Sequence, residues 1–193
     1  MLDKYRLILG SASPRRKRLM EEAGFDFEVR VMPVDEIMPR EMGMEEAARH
    51  IARVKGEAFA GHMGARELLI TADTVVGVDD RILGKPGSRE EAVAMLERLS
   101  GRTHEVCTGV CLTSSSSSYV FSEITEVCFA PLRREEISYY VDVFKPYDKA
   151  GAYGIQEWIG YIGIKYIRGC FYNVMGLPVR RLYELLTGNE MEI

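Results

Sequence analysis

An apolar run, Leu7-Ile8-Leu9, stops at Gly10 and passes through Ser11, Ala12 and Ser13 to Pro14. That pattern reads as a strand and a tight loop. Pro14 suits a first helical turn, where its missing N–H leaves nothing unsatisfied, and Ser13 stands at the N-cap position. The spacing predicts a helix over Pro14 to Ala23, with Leu19, Met20 and Ala23 on one face and Gly24 closing it. Phe25 to Met32 alternates apolar and polar residues, as a half-buried strand does. Met44 to Met63 carries Ala47, Ala48, Ile51, Val54 and Ala58 at helical spacing, with Lys55 at the edge of that face. Leu68 to Val78 is the most apolar stretch and predicts a central strand, followed by a turn at Asp79-Asp80-Arg81.

The second half continues the interleaving. Ser88-Arg89-Glu90-Glu91 is a capping box that opens a helix to Leu99, with Ala92, Met95, Leu96 and Leu99 inward. Thr103 to Thr113 and Tyr119 to Phe129 are strands joined by the serines Ser114 to Ser118, an exposed hairpin loop. Arg134 to Phe144 is an amphipathic helix with Ile137, Tyr140, Val141 and Phe144 on one face. Ile162 to Ile167 predicts a further strand, and Val179 to Leu186 a last helix with Pro178 at its first turn. Early alternation of strands and helices with a hairpin in the middle predicts an α/β fold with a mixed sheet. No internal repeat or linker divides the chain, so residues 1–193 read as one domain.

Composition narrows the function. The chain has 47% hydrophobic and 28% charged residues, which is ordinary for a globular domain of this length. A net charge of −4 gives no basic field for nucleic acid, so an anionic ligand must meet a local cluster of cations. The four cysteines, Cys107, Cys111, Cys128 and Cys170, form no C-x-x-C pair, and with three histidines a structural zinc site is not expected. Small buried thiols in a reducing compartment are the expectation. No apolar run approaches bilayer length and no signal peptide is read before the first strand, so a cytoplasmic protein without a membrane partner is expected.

Several polar residues stand where packing alone would not put them. Arg15 and Arg16 lie in a first helical turn, which already carries partial positive charge. They read either as solvent-pointing side chains or, with Ser11 and the loop amides, as a phosphate cradle. Asp73 interrupts the most apolar strand, and a carboxylate there is costly unless paired, hydrogen-bonded or metal-bound. Lys55 either snorkels or aims at a ligand. Lys85 follows Gly84 without completing a Walker pattern, since Pro86 replaces the hydroxyl residue. Asp35 and Glu36 form either a solvated turn or a metal-facing pair. Asp148 to Gln156 gathers glycines, charges and one Gln, as where backbone approaches a ligand. Carboxylates mixed with cations suit a polyphosphate with a divalent metal.

Six stretches in order resemble the Maf family of nucleoside triphosphate pyrophosphatases, first named as septum-formation inhibitors. They are Ser11 to Arg16, Ala72 to Val76, Gly84-Lys85-Pro86, Leu99 to His104, Asp148 to Gln156 and Val174 to Pro178. The resemblance covers nearly the whole chain. It implies an elongated α/β fold similar to the inosine-triphosphate pyrophosphatases, a mixed sheet with flanking helices and two lobes around a central cleft. It implies hydrolysis of dTTP and UTP to the monophosphate and pyrophosphate, a Mg²⁺ or Mn²⁺ cofactor and a homodimer. A second subgroup favours 7-methyl-GTP. Carried over by position, Asp73 is the catalytic acceptor, and Arg15, Thr74 and Gln156 are the specificity residues. Ser11, Arg16, Lys55 and Lys85 match phosphate-side positions, Lys55 and Lys85 counting with the catalytic set. Asp73 and Asp35 are the metal carboxylates, Glu36 being an alternative to Asp35. Glu157-Trp158 departs from the pattern, where a glycine is common after the Gln. The family's older name keeps a second expectation open, a nucleotide-binding regulator of cell division without relevant hydrolysis.

Overall fold

A computed structural model describes residues 4–35 and 42–188. The elements run β1 (Arg6–Leu9), α1 (Pro14–Glu22), β2 (Phe27–Val29), α2 (Met44–Glu57), β3 (Glu67–Val78), β4 (Arg81–Leu83), α3 (Arg89–Leu99), β5 (Thr103–Thr113), β6 (Ser118–Phe129), α4 (Arg134–Phe144), α5 (Trp158–Gly163), β7 (Ile164–Arg168), α6 (Phe171–Met175) and α7 (Val179–Thr187), with a 3₁₀ turn at Ala150–Ala152. The strands form one mixed sheet in the order β2-β1-β3-β5-β6-β7, with β4 paired to β3. β1 runs parallel to β2 and β3, with Leu9 opposite Val29 and Ile70. β4 folds back antiparallel on β3, and β7 runs antiparallel to β6. Asp79 and Asp80 take positive φ at the β3–β4 turn, the conformation a two-residue hairpin demands.

The chain divides into two compact units, and the division falls within β3, β5 and β6. The first comprises Met1–Asp73, Thr108–Glu123 and Gly176–Ile193; the second comprises Thr74–Cys107 and Ile124–Met175. In the first, Leu7, Ile8 and Leu9 of β1 and Leu68, Leu69 and Ile70 of β3 are buried, and Phe59 packs with Ile8 and Leu69. In the second, the core joins Leu96 and Leu99 of α3, Ile137, Tyr140 and Val141 of α4, Phe129 of β6 and Ile159 of α5. The apolar face read for α3 is the buried one. Of its expected capping box one half forms, Ser88 Oγ accepting from Glu91 N, while the Glu91 carboxylate accepts from Gly87 N.

Three elements differ from the pattern-based expectation. The strand expected over Phe25 to Met32 is only Phe27–Val29, because it pairs with the four-residue β1 and Val31 is already exposed. The helix expected to Met63 ends at Glu57, since the next turn swings Phe59 into the core and Gly61 takes positive φ. The strand expected from Ile162 begins at Ile164. The preceding residues form α5, whose Ile159 is buried, and so short an apolar run carries no period that separates helix from strand. All four cysteines are free, Cys107 and Cys111 buried and Cys128 and Cys170 half-buried.

Candidate active site

In the first unit, two close approaches set the site. A Cβ on Gly10 would lie 2.7 Å from Thr71 Cγ2, so only a glycine lets the loop after β1 pass against β3. A Cβ on Gly109 would lie 2.2 Å from the Ala48 carbonyl, and one on Gly56 2.8 Å from Thr113 Oγ1, so α2 sits directly on β5. The Thr71 hydroxyl donates to Ala52 O at 2.7 Å and ties α2 to β3 as well. With the helix so seated, Lys55 in its last turn reaches Asp73, and Nζ donates to Oδ1 at 2.7 Å. Both side chains are mostly buried, 14% and 13% exposed, where an ion pair is far less screened than at the surface. The lysine thus neither snorkels nor lies idle; it holds one oxygen of the carboxylate and leaves Oδ2 unengaged by any described residue.

The first turn of α1 is organised around its second arginine. Ser13 Oγ caps the helix by accepting from Arg16 N. Arg16 Nε donates to the Gly176 carbonyl at 2.7 Å, and Nη1 to Ser11 Oγ at 3.3 Å. No acidic residue lies in that turn. The contacts with Gly176 and Ser11 fix the guanidinium in place. Arg15 beside it is half-buried.

In the second unit, Gln156 sits in a turn closed by Glu157 N donating to Gly154 O at 3.0 Å. Its Oε1 is buried and has no hydrogen-bond partner among the described residues. Lys149, 8% exposed, pairs with Asp148 at 2.7 Å and with Glu157 Oε1 at 3.2 Å. The Tyr140 hydroxyl donates to Glu157 Oε2 and accepts from Gly154 N. Burial, and then the adjacent Glu157 carboxylate, hold the Tyr140 phenol well above its usual range, so it stays a donor. Gly151 N donates to the Gly84 carbonyl at 3.0 Å, which ties the Lys85 loop to the same segment. Lys85 itself is exposed and Thr74 half-buried.

Of the residues expected from the sequence, the structure brings Lys55 to Asp73 and Arg16 to Ser11. It does not pair Asp35, which is exposed in the coil after β2, with any other described residue. Glu36 lies outside the described residues. No group of three or more His, Cys, Asp or Glu able to hold a metal occurs among the described residues. Tyr140, Lys149 and Glu157 are not among the site residues expected from the sequence. Tyr140 looks like one more apolar position on its helix; Glu157, standing where a glycine is common, is the signal available.

A strand-interior carboxylate paired with a lysine, an arginine donating to a carbonyl and a hydroxyl, and a buried amide with an unmet acceptor are thus set in an α/β frame. The solved structure of the Staphylococcus aureus Ham1 protein shares this fold, with a TM-score of 0.53 at 17% identity over 96% of this chain and 100% of that one. The expected mixed sheet with flanking helices is thereby found. A family described as Maf-like protein matches residues 6–189, and the chain belongs to it. Among curated relatives, one from Bacteroides thetaiotaomicron is 54% identical over 183 residues, covering 94% of this chain and 95% of its own. One from Parabacteroides distasonis is 54% identical over 186 residues, 96% of each chain, and one from Porphyromonas gingivalis 53% over 188, covering 96% of this chain and 94% of its own. All three are named dTTP/UTP pyrophosphatase.

Proposed function

We propose that the chain hydrolyses dTTP and UTP to the monophosphate and pyrophosphate, and that residues 1–193 act as one functional domain. The reading rests chiefly on Asp73, a carboxylate 9% exposed inside a buried strand with one oxygen held by Lys55 and the other unengaged by any described residue. A binding module has no use for so costly a group; a hydrolase needs a fixed acceptor of a proton. The relatives named dTTP/UTP pyrophosphatase support the same reaction.

In this mechanism a water attacks the α-phosphorus, its proton passes to the Asp73 carboxylate, and the bond to the bridging oxygen of the β-phosphate breaks. Lys55 orients Asp73. Arg16, Lys55 and Lys85 stabilise charge that develops on the departing pyrophosphate, with Ser11 and the loop amides holding a phosphate. Arg15, Thr74 and Gln156 select the base: the unmet Oε1 acceptor suits the N3–H donor of uracil or thymine. We propose a divalent ion as cofactor, since Mg²⁺ is commonly held by one or two carboxylates together with substrate phosphates. Asp73 and Asp35 would hold it. When bound, Mg²⁺ or Mn²⁺ supplies neutralisation of phosphate charge and a more acidic water.

The four free cysteines suit the reducing cytoplasm, where we place the protein. No described helix is long and apolar enough to cross a membrane. We also propose a homodimer; the exposed Tyr161, Ile162 and Tyr166 offer an apolar surface for it, and sedimentation checks the mass. Pyrophosphate release from UTP and dTTP with Mg²⁺, beside ATP, GTP and CTP, tests the function. Turnover of the pyrimidine diones supports it. Silence across the panel favours a nucleotide-binding regulator, and orthophosphate as product points to a different hydrolase.

A further inference from the structure

We propose that Tyr140, Lys149 and Glu157 form a positioning network that fixes Gln156 for base selection. The inference rests on the reading of Gln156 as a base-contacting residue. Both ends of its turn meet at one hydroxyl: Gly154 N donates to Tyr140 Oη at 3.0 Å, and Tyr140 donates to Glu157. Gln156 is the third residue of this four-residue turn, between the two anchored ends. The other Glu157 oxygen lies 3.2 Å from Lys149 Nζ, whose charge is thereby balanced in a side chain 9% exposed. A carboxylate with each oxygen on a different partner has little rotational freedom, and so the turn has little either.

The glycines around the turn fit this role. A Cβ on Gly154 would lie 2.8 Å from Glu157 Cδ and 3.1 Å from Gln156 Nε2, so carboxylate and amide both pack over its bare backbone. A Cβ on Gly160 would lie 1.9 Å from the Ile155 carbonyl, so the first turn of α5 closes directly on the other side of the loop. Base discrimination by one amide depends on placement within a fraction of an ångström, and a displacement of about 1 Å can cost on the order of a hundredfold in rate.

The test compares kcat and KM on UTP and CTP for the wild type, Gln156→Leu, Tyr140→Phe, Glu157→Gly and Glu157→Gln. Uracil offers a donor at N3, whereas cytosine offers an acceptor. Tyr140→Phe and Glu157→Gly are expected to lower the UTP-over-CTP ratio of kcat/KM by roughly tenfold or more through KM for UTP, with CTP turnover nearly unchanged. Glu157→Gln keeps an acceptor for Tyr140 but turns an amide donor toward Lys149, and is expected to restore only part of the ratio. Should Tyr140→Phe fail to fold, the two Glu157 variants carry the same comparison. If Gln156→Leu collapses the ratio while Tyr140→Phe and Glu157→Gly preserve it, the network does not position Gln156. Equal losses on UTP and CTP mean a merely structural role and overturn the proposal too. If Gln156→Leu leaves the ratio intact, the base reading itself fails, and this inference with it.

Discussion

The two units treat charge in opposite ways. In the first, Lys55 Nζ donates to Asp73 Oδ1, and Arg16 donates to a carbonyl and a hydroxyl. In the second, Lys149 closes on Asp148 and Glu157, Tyr140 takes the remaining oxygen of Glu157, and the group left with an unmet bond is the neutral amide of Gln156. Under the proposed function the Lys55–Asp73 pair would serve the chemistry, whereas the Lys149 and Glu157 pair builds a frame around the proposed selector, Gln156. The same residue types, Lys with Asp or Glu, thus serve two purposes, and the difference lies in whether every oxygen is taken.

The largest expected effect breaks the first side of this comparison. Asp73→Asn keeps the shape of the side chain and removes its capacity to take a proton, so pyrophosphate release from UTP should fall by roughly 10²–10⁴-fold. Circular dichroism should show an unchanged fold. Wild-type turnover in the Asp73→Asn variant would mean that the carboxylate is structural. Next in size is Arg16→Met, which keeps much of the stem's packing and removes the guanidinium from Gly176 and Ser11. A loss of about a hundredfold in kcat/KM is expected, falling on all triphosphates alike. A base-dependent loss would put Arg16 on the selecting side and erase the distinction drawn above.

The sequence makes one side of this comparison far more readable than the other. A carboxylate in the most apolar strand and arginines in a helix's first turn violate local preference, and such violations stand out one residue at a time. Asp73 and Arg16 are visible for that reason, and so is the cap at Ser13. The Tyr140 clamp violates nothing locally. A tyrosine on the apolar face of a helix reads as core, and it is core; only the fold shows its hydroxyl meeting Gly154 and Glu157. The pairing of Lys55 with Asp73 is equally hidden, since it depends on how closely α2 sits on β5 at Gly109, a distance no spacing encodes. The short helix α5 escapes the pattern because six residues carry too little period to decide between helix and strand.

The clamp also has a stability signature, smaller than the catalytic effects. Tyr140→Phe leaves Gly154 N and one Glu157 oxygen without their partner in a buried place, which costs about 1–3 kcal/mol. For a chain of this size that is on the order of 2–12 °C in melting temperature. A calorimetric scan of the variant measures it. An unshifted melt would mean that the turn holds without the hydroxyl, and the frame would then be looser than the contacts suggest.

The smallest effect separates the two units by pH. His104 in the second unit is 2% exposed, stacked on Phe129, with Nε2 at 2.7 Å from Tyr153 Oη and Nδ1 buried without a partner among the described residues. Burial pulls its imidazole down from an ordinary value near 6.5 to about 4. The unfolded chain therefore takes up this proton before the folded one does. The stability that the neutral ring contributes is complete above about pH 6.5 and is lost as pH falls toward 4, at most about 1.4 kcal/mol per pH unit. In the first unit, the hydrogen bond from Arg30 holds Glu67 down at about 2, and its contribution is lost only as pH falls below the ordinary carboxylate range. Glu136 and Asp142 in the second unit, held low by Arg133 and Arg89, likewise respond only in that acidic range. Between about pH 6.5 and 5 His104 should thus contribute a loss of about 1–2 kcal/mol by about pH 5.5. Amide exchange should then accelerate in α3, α4 and β7 while β1 and α1 keep their protection. His104→Phe, which retains the stack on Phe129, should flatten the loss over this interval. If the second unit loosens equally in that variant, the proton is taken up elsewhere and the pH contrast between the units has another source.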